Sequence, residues 1–131
     1  MTDRVQSVTS PALPAPAGPY SPATVGGNLV FVSGQAGRDP ATNALPPDVE
    51  TQTELALKNI AAILEAAGSG LRHVLRCGVF LADIKEFSKM NTAYARVFAG
   101  HRPARTTVEV SALPGEGMRV EIDAIAMVPN K

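Results

Sequence analysis

Hydrophobic and polar positions alternate along the chain in a way that orders its elements. Asn28-Leu29-Val30-Phe31-Val32-Ser33-Gly34 is apolar at successive positions and predicts a strand buried on both sides. Arg38 to Pro47 is turn chemistry, with Asp39-Pro40, Asn43 and Pro46-Pro47. Asp48 is an N-cap candidate, and Glu50 adds negative charge to the first helical turn. The helix it opens turns Ala56, Ile60, Ile63, Leu64 and Ala67 inward and stops at Gly68. From Leu71 to Ala82 the pattern changes to period two. Leu71, His73, Leu75, Cys77, Val79 and Leu81 share one face, and Arg72, Val74, Arg76, Gly78 and Phe80 the other. Asp83-Ile84-Lys85-Glu86 has capping-box spacing before a second helix, which carries Phe87, Met90, Tyr94, Val97 and Phe98 and ends at Gly100. Two strands close the chain, Arg105–Ser111 and Met118–Val128. The loop Leu113-Pro114-Gly115-Glu116-Gly117 between them predicts an antiparallel hairpin.

Strand, helix, strand, helix, strand, strand is an α/β (α+β) order, with a mixed sheet and both helices on one face. The opposite face would carry Phe80, Val74, Ile125 and Met127 among Arg105, Thr107, Glu109, Arg119, Glu121 and Asp123. Neither clean core nor clean surface, it reads as a subunit interface with embedded polar sites. Ahead of the first strand, residues 11–22 hold five of the eleven prolines. They predict an extended N-terminal arm, over residues 1–15, with Tyr20 in a Gly-Pro-Tyr-Ser turn beyond it.

Composition narrows the function. The 131 residues fit a single domain over 1–131, and 45% apolar content supplies its core. Twelve basic and twelve acidic residues cancel, which argues against a general nucleic-acid binder. The absence of tryptophan and the presence of only two tyrosines leave few stacking platforms for single strands. One cysteine permits no intrachain disulfide, the opening Met-Thr-Asp-Arg-Val-Gln has no signal pattern, and no apolar run is long enough for a membrane span. A cytoplasmic protein is the expectation.

Few residues suggest chemistry on their own. His73 and Cys77 lie about 13 Å apart on a strand, too far to share an ion, so no protein-ligated metal is expected. Cys77, mid-strand between Leu75 and Val79, reads as a buried small hydrophobe rather than a nucleophile. Gly34-Gln35-Ala36-Gly37 lacks the Lys-Ser/Thr of a phosphate loop and reads as turn material. Arg105 and Glu121 stand out because of the half-apolar face assigned to them. A guanidinium there matches a substrate carboxylate, and a carboxylate nearby activates water. Asn91 on the second helix is either a pocket residue or a side-chain bond to a neighbouring loop.

Taken together, several short motifs resemble the RidA/YjgF family of reactive-intermediate deaminases from about residue 14 to 128. They are Gly18-Pro19-Tyr20-Ser21, Ser33-Gly34-Gln35, Asn59, Ala66-Ala67-Gly68 and Val79-Phe80-Leu81-x-Asp83. Asn91-x-x-Tyr94-x-x-x-Phe98, Pro103-Ala104-Arg105 and Val120-Glu121-Ile122-x-Ala124 continue the series. The resemblance implies a chorismate-mutase-like two-layer fold, trimeric around a central barrel, with a ligand site at each subunit interface. It also implies hydrolysis of enamines and imines such as 2-aminoacrylate, 2-iminopropanoate and 2-iminobutanoate to 2-oxo acids and ammonia, without a cofactor. Carried over by position, Arg105 would bind the substrate carboxylate and Glu121 the attacking water. Tyr20, Ser33, Gly34, Asn91 and Thr107 would line the pocket. Thr107 stands where many members have cysteine, and the loop Ala99-Gly100-His101-Arg102 is short by comparison. The other functions open to the sequence are an endoribonuclease acting on single-stranded or messenger RNA and a non-catalytic small-ligand binder. The expected partners are a small imine or 2-oxo acid and two further copies of the chain, with no membrane and no nucleic acid.

Overall fold

The computed structural model describes residues 4–13 and 15–129. Residues 1–3 and Pro14 of the expected arm, and the last two residues of the expected domain, lie outside that range. A six-stranded sheet is built from β1 (Gln6–Val8), β2 (Ala23–Gly26), β3 (Leu29–Ala36), β4 (Val74–Leu81), β5 (Ala104–Glu109) and β6 (Val120–Met127). Their spatial order is β1-β2-β3-β6-β4-β5. Helices α1 (Val49–Ala66) and α2 (Phe87–Phe98) share one core with one sheet face, as the mixed two-layer reading expects.

The expected hairpin between the last two strands does not form. β5 pairs in parallel with β4 at the sheet edge, while β6 runs antiparallel between β3 and β4. Burial explains the exchange. Val120, Ile122, Ala124 and Ala126 are at most 3% exposed, a pattern suited to the sheet centre, whereas no residue of β5 is fully buried. β4 and β5 are joined through α2, the long connection that a parallel pair needs.

Several local expectations are also corrected. Leu71–His73 is a 3₁₀ turn, and β4 starts only at Val74. Val74 pairs with Ala126 but Arg76 with Ile125, so Leu75 is a bulge residue. The bulge turns Val74 into the core and leaves Leu75 outside, reversing the strict alternation. The GQAG segment is largely strand, with a register shift between Val32 and Gln35. Phe31, expected to be buried, is 45% exposed on the sheet face without helices.

Helix α1 begins as the sequence indicates, with the Asp48 carboxylate accepting from Thr51 N at 2.9 Å. Those bonds hold the Asp48 carboxyl below its ordinary range. The capping box before α2 is only half made. Asp83 accepts from Lys85 N, but the Glu86 carboxylate turns to Arg119, whose Nη2 is 2.7 Å away. Gln52, fully buried on α1, completes the start of β6. Its Nε2 donates to Pro46 O at 2.7 Å and Gly117 O at 3.0 Å, and its Oε1 accepts from Arg119 N at 2.8 Å. Gly37 passes so close to the Gln52 backbone that a Cβ there would collide with it. These contacts fix the level at which Glu121, two residues beyond Arg119, leaves the strand.

Candidate active site

Strand register separates the expected site residues into two groups. Cys77 and Val79 face the helices, and their partners on β5 are Arg105 and Thr107, which therefore lie on the helix side. On β6, Val120 and Ile122 face the helices, so Glu121 and Asp123 lie on the other side. The shared face expected for Arg105, Thr107, Glu109 and Glu121 is thus corrected. Pairing β5 with β4 sets Arg105 and Thr107 level with the inward-facing Cys77 and Val79, which the strand pattern alone did not reveal.

The Arg105 group is an aromatic cradle on α2. The guanidinium carbon sits 4.7 Å from the Tyr94 ring centroid and 5.6 Å from that of Phe87, and Nη1 is 3.9 Å from Met90 Sδ. Phe87, Asn91 and Tyr94 recur at helical spacing, which puts Asn91 on the same stripe. Among the described residues Arg105 enters no ion pair, so its forked donors face no carboxylate. Among the described residues Asn91 Oδ1 is buried without a hydrogen-bond partner. Burial pushes the Tyr94 phenol well above its ordinary range, with the Cys77 thiol adding to this and Arg105 opposing it. Burial also pushes up the thiol of Cys77, which is fully enclosed as the sequence suggests.

The Glu121 group lies across the sheet. Ala36 is the register partner of Glu121, and Gly34 leaves room beside it, since a Cβ there would land on the Glu121 carboxylate and displace it. Burial raises the Glu121 carboxyl above its ordinary range, and the neighbouring Asp123 charge adds to the effect. Asp123 is held by Gly78 N, which donates to its Oδ1 at 2.8 Å. Ser33 is spent on the arm. Its Oγ donates to Ser21 O at 2.7 Å and its N donates to Pro22 O at 3.0 Å, which fixes the turn carrying Tyr20. Tyr20, half exposed, lines with Gly34 and Glu121 a cavity of about 610 Å³.

The structure therefore brings together Tyr20, Ser33, Gly34 and Glu121 on one side, and Asn91, Arg105 and Thr107 on the other. It does not bring the two groups together within one chain. Sequence reading missed Gln52 and the role of Asn59, whose Nδ2 donates to Arg38 O at 2.9 Å and Ala36 O at 3.4 Å. Both are polar residues beside the apolar stripe of α1, and that placement is the signal that would have found them. The open sheet face carries Phe31, Leu75, Val108 and Met127 exposed. No helix among the described residues is long and apolar enough to cross a membrane.

Known proteins resemble this chain in both sequence and fold. The family model for Endoribonuclease L-PSP matches residues 10–128. Protein DfrA of Myxococcus xanthus is 45% identical over 125 residues, covering 93% of this chain and 95% of that protein. The 2-iminobutanoate/2-iminopropanoate deaminase of Bos taurus is 43% identical over 129 residues, covering 97% and 93%. Among solved structures, Escherichia coli TdcF with bound serine superposes with a TM-score of 0.87 at 34% identity, covering 93% of this chain and 98% of that one. On this evidence of sequence and fold, the chain belongs to the Endoribonuclease L-PSP family, also known as the RidA/YjgF family.

Proposed function

We propose that the protein hydrolyses small 2-imino acids and their enamine tautomers to 2-oxo acids and ammonia, at sites completed between copies of the chain. The carrying observation is the separation of two half-sites by the sheet. An unpaired guanidinium waits on one side, and a carboxylate in a cavity waits on the other. A head-to-tail contact that places the β5–α2 edge of one copy on the open face of the next would join them. Repeated with rotation it closes a ring, and a homotrimer is the ring the family resemblance favours. The same contact would cover the exposed Phe31 and Met127.

In that site Arg105 grips the substrate carboxylate with two parallel hydrogen bonds. Glu121, ionised, takes a proton from water as the water oxygen bonds to the imine carbon. The imine nitrogen takes up that proton to give a carbinolamine, whose hydroxyl proton then passes through Glu121 to nitrogen as the C–N bond breaks, so that ammonia leaves and a 2-oxo acid remains. Atoms balance as imine plus water giving ketone plus ammonia. Asn91 and Tyr20 line the two sides of the space, and Thr107 offers a hydroxyl where it can orient substrate. A deaminase named for these substrates at 43% identity supports the reading. Zero net charge weighs against RNA as the substrate.

The test couples an amino-acid oxidase or a threonine dehydratase to this protein and follows 2-oxo acid formation. Faster release than in the enzyme-free control is the expected result. No acceleration with 2-iminobutanoate or 2-iminopropanoate would overturn the proposal. Light scattering should show a stable oligomer at micromolar concentration, and a stable monomer would remove the shared site.

A further inference from the structure

The cavity holding Glu121 extends past the point where a three- or four-carbon acid would end. Its volume of about 610 Å³ is in the range of sites for drug-sized ligands. Among the described residues that line it, Arg38 is the single cation. Three contacts hold Arg38 on the wall of the cavity. Asn59 on α1 holds the Arg38 backbone through its carbonyl. Arg38 Nη1 donates to Asn43 O at 3.0 Å. Its Nη2 lies against Gly115, where a Cβ would approach to 3.0 Å.

Among the described residues Arg38 nevertheless enters no ion pair. The ion pairs among the described residues use Lys58, Arg96 and Arg119. The adjacent Asp39 carboxylate is turned into its own loop, accepting from Ala41 N at 2.8 Å and Thr42 N at 3.3 Å. A guanidinium that lines a roomy cavity and forms no ion pair among the described residues is a ready anion-binding position.

We infer that Arg38 forms a second anion subsite, which selects 2-oxo and 2-imino acids carrying a carboxylate at the far end of the side chain. Arg38 and Glu121 line the same cavity, with Arg38 following β3 two residues beyond Ala36, the register partner of Glu121, so a substrate attacked beside Glu121 can present a second carboxylate to Arg38. The subsite deepens the proposed function and rests on it for catalysis, but binding of the 2-oxo acid tests it separately.

The experiment is calorimetric titration of the full-length protein with 2-oxoglutarate and with 2-oxobutanoate, for wild type, Arg38→Leu and Arg38→Lys. The readout is the ratio of the two dissociation constants. Wild type should favour 2-oxoglutarate by about tenfold or more, the low end for a hydrogen bond to a charged group. Arg38→Leu should bring the ratio to within about twofold of unity, and Arg38→Lys should retain part of it, since the charge remains without the fork. A wild-type ratio near one overturns the inference. So does equal weakening of both acids by Arg38→Leu, which would mark Arg38 as a staple of the 38–43 loop and nothing more. Absence of binding by either acid overturns it as well. Turnover of 2-iminobutanoate is measured alongside. Turnover without a diacid preference sinks the subsite alone, and a preference without turnover sinks the reaction and leaves the subsite standing.

Discussion

The two faces of the sheet make different statements about the same chain. On the helix side, Val30, Leu57, Ile60, Leu64, Val79, Leu81 and Ile122 are completely shielded from solvent. The apolar part of that face is finished within one molecule, and Gln52 makes three bonds there, although Thr53 Oγ1 and Asn91 Oδ1 are buried without partners among the described residues. On the other side, Phe31 and Met127 remain exposed beside a half-buried Glu121 with a raised carboxyl. Hydrophobic burial thus builds the monomer from one face, and the proposed contact between copies uses the other. The residues proposed for chemistry follow the same division. Arg105 belongs to the edge of the finished face, and Glu121 belongs to the unfinished one.

Glu121→Gln should show the largest effect. The amide keeps size and reach but cannot take a proton from water, so turnover should fall about 100-fold or more, the scale of a general base. Binding of 2-oxobutanoate, held from the Arg105 side, should persist. Wild-type turnover in this variant would place water activation elsewhere.

Arg105→Lys probes the opposite face. It keeps the charge but loses the planar fork and its stacking on Tyr94 and Phe87. Catalytic efficiency should drop about 10- to 150-fold, the range for charge-assisted bonds. Near-normal efficiency in both Arg105→Lys and Arg105→Ala would show that the carboxylate is bound by another group.

The pH profile sharpens the comparison further. A carboxylate raised by burial and by Asp123 must still be ionised to act as base. Activity should therefore be lost as pH falls through a value above the ordinary glutamate range. Stability runs the other way through the same window. The folded state binds the proton before the unfolded state does, so this group favours folding more as pH drops between the two values. Asp123→Asn removes the like charge while keeping an oxygen for Gly78 N, and it should move the acidic limb of activity downward. A limb that stays in place would assign it to a different group.

Thr107→Val should have the smallest effect. The hydroxyl lies on the Arg105 side and is not positioned to move a proton for Glu121, so a change of a few-fold in efficiency is expected. A dead Thr107→Val enzyme would reverse the roles assigned to the two faces.

Much of the fold was legible in the chain because local signals carried it. Asp48 caps α1, Gly68 follows its end with φ +81°, and the inward stripe from Ala56 to Leu64 is buried as its spacing indicates. Long-range pairing was not legible. Nothing in the Leu113–Gly117 loop shows that β6 will cross β4 to sit beside β3. That exchange depends on the small, fully buried Ala124 and Ala126 competing for the sheet centre against a more polar β5. The candidate residues could be named from motifs, whereas their sides of the sheet could not. A single bulge at Leu75 and a parallel rather than antiparallel β5 were enough to change which side chains share a face.

The most direct test of a site shared between copies is complementation. Arg105→Ala and Glu121→Gln proteins, each inactive alone, are co-expressed or exchanged into mixed oligomers and assayed on 2-iminobutanoate. In a head-to-tail ring each site takes Arg105 from one copy and Glu121 from the next, so random mixing restores about one quarter of the sites. Recovery to about one quarter of wild-type activity is the expected result. Mixed oligomers as inactive as either parent would contradict the account, because the two residues would then have to act within a single chain or not at all.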